Sequence, residues 1–93
     1  MKMPELLPLG SVVTLINGDK KIMIAGRFQR HEKTKKIYDY SAVLWPEGYI
    51  DSTHLYLFDH KDIDRLYYIG LQNEEEFLFR SILEDEYEKI GRK

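Results

Sequence analysis

The sequence predicts an α+β fold: a small antiparallel sheet of about five strands, with an SH3-like partial barrel as its curled form, closed by one C-terminal helix. Three observations carry this expectation. Short β-branched and aromatic runs alternate with turn signals as far as residue 69, and the apolar period then changes from strand-like to helix-like at Asn73. The chain has no cysteine, so packing alone must hold it together.

The first strand is residues 11–16 (SVVTLI), followed by Asn17-Gly18, a pair suited to the positive φ angles of a tight hairpin turn. Residues 21–28 (KIMIAGRF) supply its partner, with Ile22 and Ile24 on one face and Met23 and Ala25 on the other. Both faces read as partly covered. The run RHEKTKK has no apolar residue between Phe28 and Ile37 and is an exposed connection. Residues 37–45 (IYDYSAVLW) alternate as a third strand, ended by Pro46-Glu47-Gly48. A fourth strand is expected at 54–58 (HLYLF). Residues 63–69 fit a fifth strand or a short helix, and the strand is preferred because Tyr67, Tyr68 and Ile69 precede Gly70.

From residue 74 to 90 a helix is expected, with Asn73 as N-cap and Glu74, Glu75 and Glu76 in the first turn, where the helix dipole favours negative charge. At 100° per residue Leu78, Phe79, Ile82, Leu83, Tyr87 and Ile90 share one broad stripe, which is expected to cover the sheet. On that reading Ile82 is buried and Ile82→Asp unfolds the domain. Phe77 falls off the stripe.

A chain of 93 residues makes one domain, residues 1–93, with the sheet over about 11–69 and the helix over about 74–90. Its 43% apolar and 32% charged composition is enough to close a core. No stretch reads as a signal peptide or approaches the roughly 20 apolar residues of a membrane span, so a soluble, cytoplasmic protein is expected. The net charge of -2 argues against nucleic acid as the main partner. Charge is unevenly placed: residues 19–36 hold seven bases and two acids, residues 73–93 seven acids and four bases. A nucleic-acid-binding small barrel built on the basic stretch is the weaker alternative to a solvated loop.

Little in the chain suggests chemistry. Asp59, His60, Asp62 and Asp64 crowd together, but their spacing fits neither a calcium loop nor a paired-histidine zinc motif, and Asp59 reads better as a turn or cap residue. His31, His54 and His60 have no serine or cysteine nucleophile in a recognisable motif beside them. Gly10, Gly18 and Gly26 match no phosphate loop and read as turn or bulge glycines. No cofactor, metal or catalytic residue is therefore expected, and an enzyme is the weakest alternative. The unusual feature is aromatic richness, with seven tyrosines, four phenylalanines and one tryptophan. Tyrosine and tryptophan are enriched in protein interfaces, and Trp45, Tyr49 and Phe77 are the candidate exposed, partner-binding aromatics.

The succession LPLGSVV, IMIAGR, YDYSAVLWPEGY, LYLFDHKDID, YYIG and EEEFLFRSIL resembles the family called domain of unknown function 4176, over residues 7–83. The most specific pieces are residues 38–49 and 58–63. The resemblance implies a small protein of Gram-positive bacteria, often encoded near type VII secretion genes and their LXG-type toxins. It implies a cytoplasmic accessory factor that binds protein, a chaperone or adaptor for an LXG-type toxin or another type VII secretion component, with an immunity-type inhibitor as the alternative. A homo-oligomer is compatible with either. Two marks of exported type VII substrates are missing: no tyrosine has an acidic residue four positions on, and Trp45 is followed by Pro46-Glu47.

Overall fold

The computed structural model describes residues 5–90. Arg92 and Lys93, counted above in the acidic segment, and residues 1–4 of the leader reading lie outside the described residues. Five strands, β1 (Val12–Leu15), β2 (Ile22–Arg30), β3 (Ile37–Leu44), β4 (Tyr56–Phe58) and β5 (Ile63–Tyr68), precede one helix, α1 (Glu74–Lys89). Single 3-10 turns at Ser52–His54 and His60–Asp62 flank β4. The segment at 63–69, open between strand and helix in the sequence, is a strand.

The strands form one antiparallel sheet in the order β4-β3-β2-β1-β5. β1 to β4 run up and down, and β5 returns to pair with β1. The connection from β4 to β5 therefore joins the two edges of the sheet with only four residues, 59–62. Laid flat, five strands would hold their edges about 19 Å apart. Four residues containing a 3-10 turn reach only about 13 Å. The sheet has to curl, which makes it an open partial barrel. Consecutive residues are buried in the middle strands, Val12, Val13 and Thr14 in β1 and residues 39–43 in β3, so both faces of the sheet are covered there.

The connection from β1 to β2 is longer than the tight hairpin expected from Asn17-Gly18. Asn17 does take a left-handed φ of 67°, but the register pairs Val13 with Ile22, leaving residues 16–21 as a loop. The cause is β5, which pairs with Leu15 and Thr14 and draws the end of β1 away from β2.

β2 carries a bulge that changes what the core contains. Ile24 pairs with Ala42, but the next partner of β3 is Gly26 against Ser41, so Ala25 is an extra residue. After it, Arg27 lies opposite Tyr40, on the same side of the sheet as Ile22 and Ile24. A Cβ on Gly26 would stand 2.6 Å from Ser41 Oγ and 3.0 Å from the Gln29 amide carbon, so any side chain there would have to push those side chains aside. The core is Leu6, Val13, Ile22, Ile24, Tyr40, Ala42, Phe58 and Leu83, edged by Leu15, Phe28 and Ile63.

α1 begins where expected. Asn73 caps it, its side chain accepting a hydrogen bond from Glu76 N at 3.1 Å. Its buried face differs from the expected stripe. Of the six stripe residues only Leu83 and Tyr87 are buried, Tyr87 stacking on Phe28 with ring centroids 5.6 Å apart. Leu78 is 69% and Ile82 56% exposed, so the expected burial of Ile82, and with it the predicted unfolding by Ile82→Asp, is overturned. The inward face is Glu76, Arg80, Leu83 and Tyr87. The bulge puts Arg27 under the helix, and a buried guanidinium needs a carboxylate more than Leu78 or Ile82 need cover.

Candidate protein-binding surface

The candidate aromatics Trp45, Tyr49 and Phe77 are 44%, 67% and 53% exposed, respectively. Trp45 follows β3, and its backbone amide donates to Lys21 O just ahead of β2. The turn after it, at Pro46 and Glu47, is tied to the β1–β2 loop by an ion pair between Lys20 Nζ and Glu47 Oε1 at 2.8 Å. Asp19, Lys20, Lys21, Trp45 and Pro46 line a shallow groove of about 370 Å³ between the two loops. The salt bridge is exposed, so it orients the loop and adds little stability.

Phe77 belongs elsewhere. Its helix packs over Arg27 and Phe28, about 20 Å along β2 from Lys21 at strand rise. The three aromatics therefore form two sites, Trp45 and Tyr49 at one end of β2 and Phe77 at the other. Phe77 also has a structural role that sequence reasoning missed: the Arg80 guanidinium lies over its ring, 5.5 Å from the centroid.

The ionic cluster beneath α1 fixes how the helix presents its side chains. Arg27 Nη2 donates to Glu76 Oε1 at 2.8 Å and Arg27 Nη1 to Glu76 Oε2. Arg80 donates to the same carboxylate from Nε and Nη2, at 3.2 and 3.0 Å. These bonds, Arg27's foremost, hold the Glu76 carboxyl below its ordinary range. The Arg27 guanidinium also lies over the Phe79 ring, 5.5 Å from its centroid. With those contacts in place, Leu78 and Ile82 lie about 130° to 170° round the helix from the buried face. Their i, i+4 spacing was visible in the sequence, but it pointed inward.

The acidic cluster after β4 is occupied by backbone. Asp62 Oδ2 accepts from Asp59 N at 3.0 Å, Asp59 Oδ1 from Asp39 N at 3.1 Å, and Asp39 Oδ2 from His60 N at 2.9 Å. Among the described residues no group of three or more histidines and carboxylates is placed to hold a metal ion. Beside this loop the Tyr40 hydroxyl meets His60 Nδ1 at 2.6 Å and accepts from Leu7 N at 2.9 Å. Burial pushes the Tyr40 phenol up to about 12. The pair ties the segment before β1 to the β4–β5 connection. Among the described residues no helix is long and apolar enough to cross a membrane.

A curled five-stranded antiparallel sheet under one helix, with apolar side chains left on the outside of that helix, defines a small α+β protein. Residues 6–79 match the family model described as Domain of unknown function (DUF4176), and the chain belongs to that family. No curated protein and no solved structure matches it.

Proposed function

We propose that this protein is a non-enzymatic binding module of the cytoplasm, a chaperone or adaptor for an LXG-type toxin or another type VII secretion component. The observation that supports the reading most is the rotation of α1. Pairing with Arg27 turns Glu76 inward and leaves Leu78 and Ile82 outside, on a helix whose buried face is otherwise satisfied. Exposed apolar side chains at i, i+4 spacing on a helix suit the recognition of another chain. Trp45, which lines the groove at the far end of β2, and the exposed Tyr49 after the same turn offer a second point of contact.

The test is co-expression with an LXG-type toxin followed by size-exclusion chromatography. Co-elution, together with loss of toxin export when the protein is deleted, is the expected result. Failure to co-elute with any such toxin sinks the reading. Rescue of toxin-poisoned cells without any effect on export would make the protein an immunity-type inhibitor.

A further inference from the structure

The outer face of α1 carries a charge pattern as well as an apolar one. Leu78 and Ile82 form its centre line. On the helix surface Glu74 and Asp85 lie on one side of that line, Glu75 and Glu86 on the other, and all four are exposed. Lys89, the one base near the line among the described residues, is engaged with Glu86 at 3.3 Å. The face is an apolar strip between two rows of carboxylates.

That pattern selects the occupant. A second copy laid against it helix to helix would set carboxylates against carboxylates, which costs affinity. A second copy offering its basic segment, residues 30–36, would bring charge without apolar cover, since no apolar residue lies between Phe28 and Ile37. We propose that the outer face of α1 docks a basic amphipathic helix of a partner protein, its apolar residues on Leu78 and Ile82 and its lysines or arginines against the flanking carboxylates. The inference rests on the protein-binding reading above and gives the partner's chemistry.

The experiment titrates the isotope-labelled chain with a synthetic leucine–lysine peptide patterned as an amphipathic helix, and with a leucine–glutamate peptide of the same apolar pattern. Expected are amide shifts confined to α1 with the first peptide and none with the second. Affinity should fall about tenfold or more in a Leu78→Ser/Ile82→Ser variant, and also with added salt. The assignment is overturned if the shifts map to β5 or to the Trp45 turn, if the double variant binds as tightly, or if the chain self-associates through α1. A toxin that stays bound to the double variant also overturns this face, while leaving the protein-binding reading intact. A toxin that binds neither form, while the leucine–lysine peptide still meets α1, ends the earlier reading and leaves the face assigned.

Discussion

Arg27 on β2 and Glu76 on α1, 49 positions apart, are joined by a two-pronged ion pair whose side chains are only 3% and 10% exposed. Two charges in such a place are held by each other, and Arg80 adds a further hydrogen-bonded cation to the carboxylate. The pair sets the rotation of the helix and therefore decides which apolar residues reach solvent.

Removing one partner leaves a buried charge unmatched. Glu76→Leu should cost about 3 to 5 kcal/mol of folding stability in urea denaturation, and Arg27→Met a similar amount. The double variant should lose clearly less than the sum, because two apolar side chains of similar volume replace the pair. Additive losses would show that the two residues act independently.

The same pair makes the fold acid-sensitive. Glu76 titrates lower in the folded chain than in the unfolded one, so its contribution is complete above the unfolded carboxyl value near 4.5 and is lost as pH falls through the folded value. The urea midpoint of the wild type should fall below that pH, and that of Glu76→Gln should fall less steeply. Tyr40 acts at the other end of the scale. Its phenol, raised to about 12 from 10.0, stabilises the fold up to pH 10 and ceases to do so as pH rises through 12. Roughly 2 to 3 kcal/mol is lost over that window. One tyrosine should ionise late in an alkaline titration, and Tyr40→Phe should abolish that step.

Gly70 admits no side chain. A Cβ there would stand 1.9 Å from Leu9 O and 3.2 Å from Ser11 N, both backbone atoms. Its amide also donates to Ser11 Oγ at 3.0 Å, which itself donates to Pro8 O at 2.8 Å. Gly70→Ala should cost at least about 2 kcal/mol and lower Tm by about 10 °C, measured by thermal unfolding followed by circular dichroism.

Neighbouring positions on α1 should respond in opposite ways. Ile82→Asp is expected to stay within about 0.5 kcal/mol of the wild type, and Leu83→Asp to unfold the domain, because only Leu83 is inside. Phe77→Ala should cost no more than about 1 kcal/mol, the scale of its contact with Arg80. Equal melting of the Ile82 and Leu83 variants would disprove the helix rotation.

Strand and helix placement was legible because it follows local rules. Alternation marked β3, Gly70 after Tyr67, Tyr68 and Ile69 marked the end of β5, and Asn73 with three glutamates marked the start of α1. The facing of α1 was not legible, and one residue explains why. Without the bulge at Ala25, Arg27 would share the side of Met23 and Ala25 and reach outward; with it, Arg27 enters the core and demands Glu76. Counting apolar residues on the helix could not anticipate a partner chosen from β2. Of the candidate aromatics, exposure was foreseen for all three, but their separation into two sites depends on where α1 crosses the sheet.

Pairing of the first strand with the last governs when the molecule can form during synthesis. Val12 lies opposite Tyr68, so β1 lacks its outer neighbour until nearly three quarters of the chain has left the ribosome. Contacts of such sequence separation are slow to form, since a long loop must close before they contribute. A nascent chain stopped before residue 63 would expose β1 as a bare edge, open to pairing with the wrong strand. Completion of β5 covers that edge, and α1, made after it, then brings Leu83 to the core and Glu76 to Arg27.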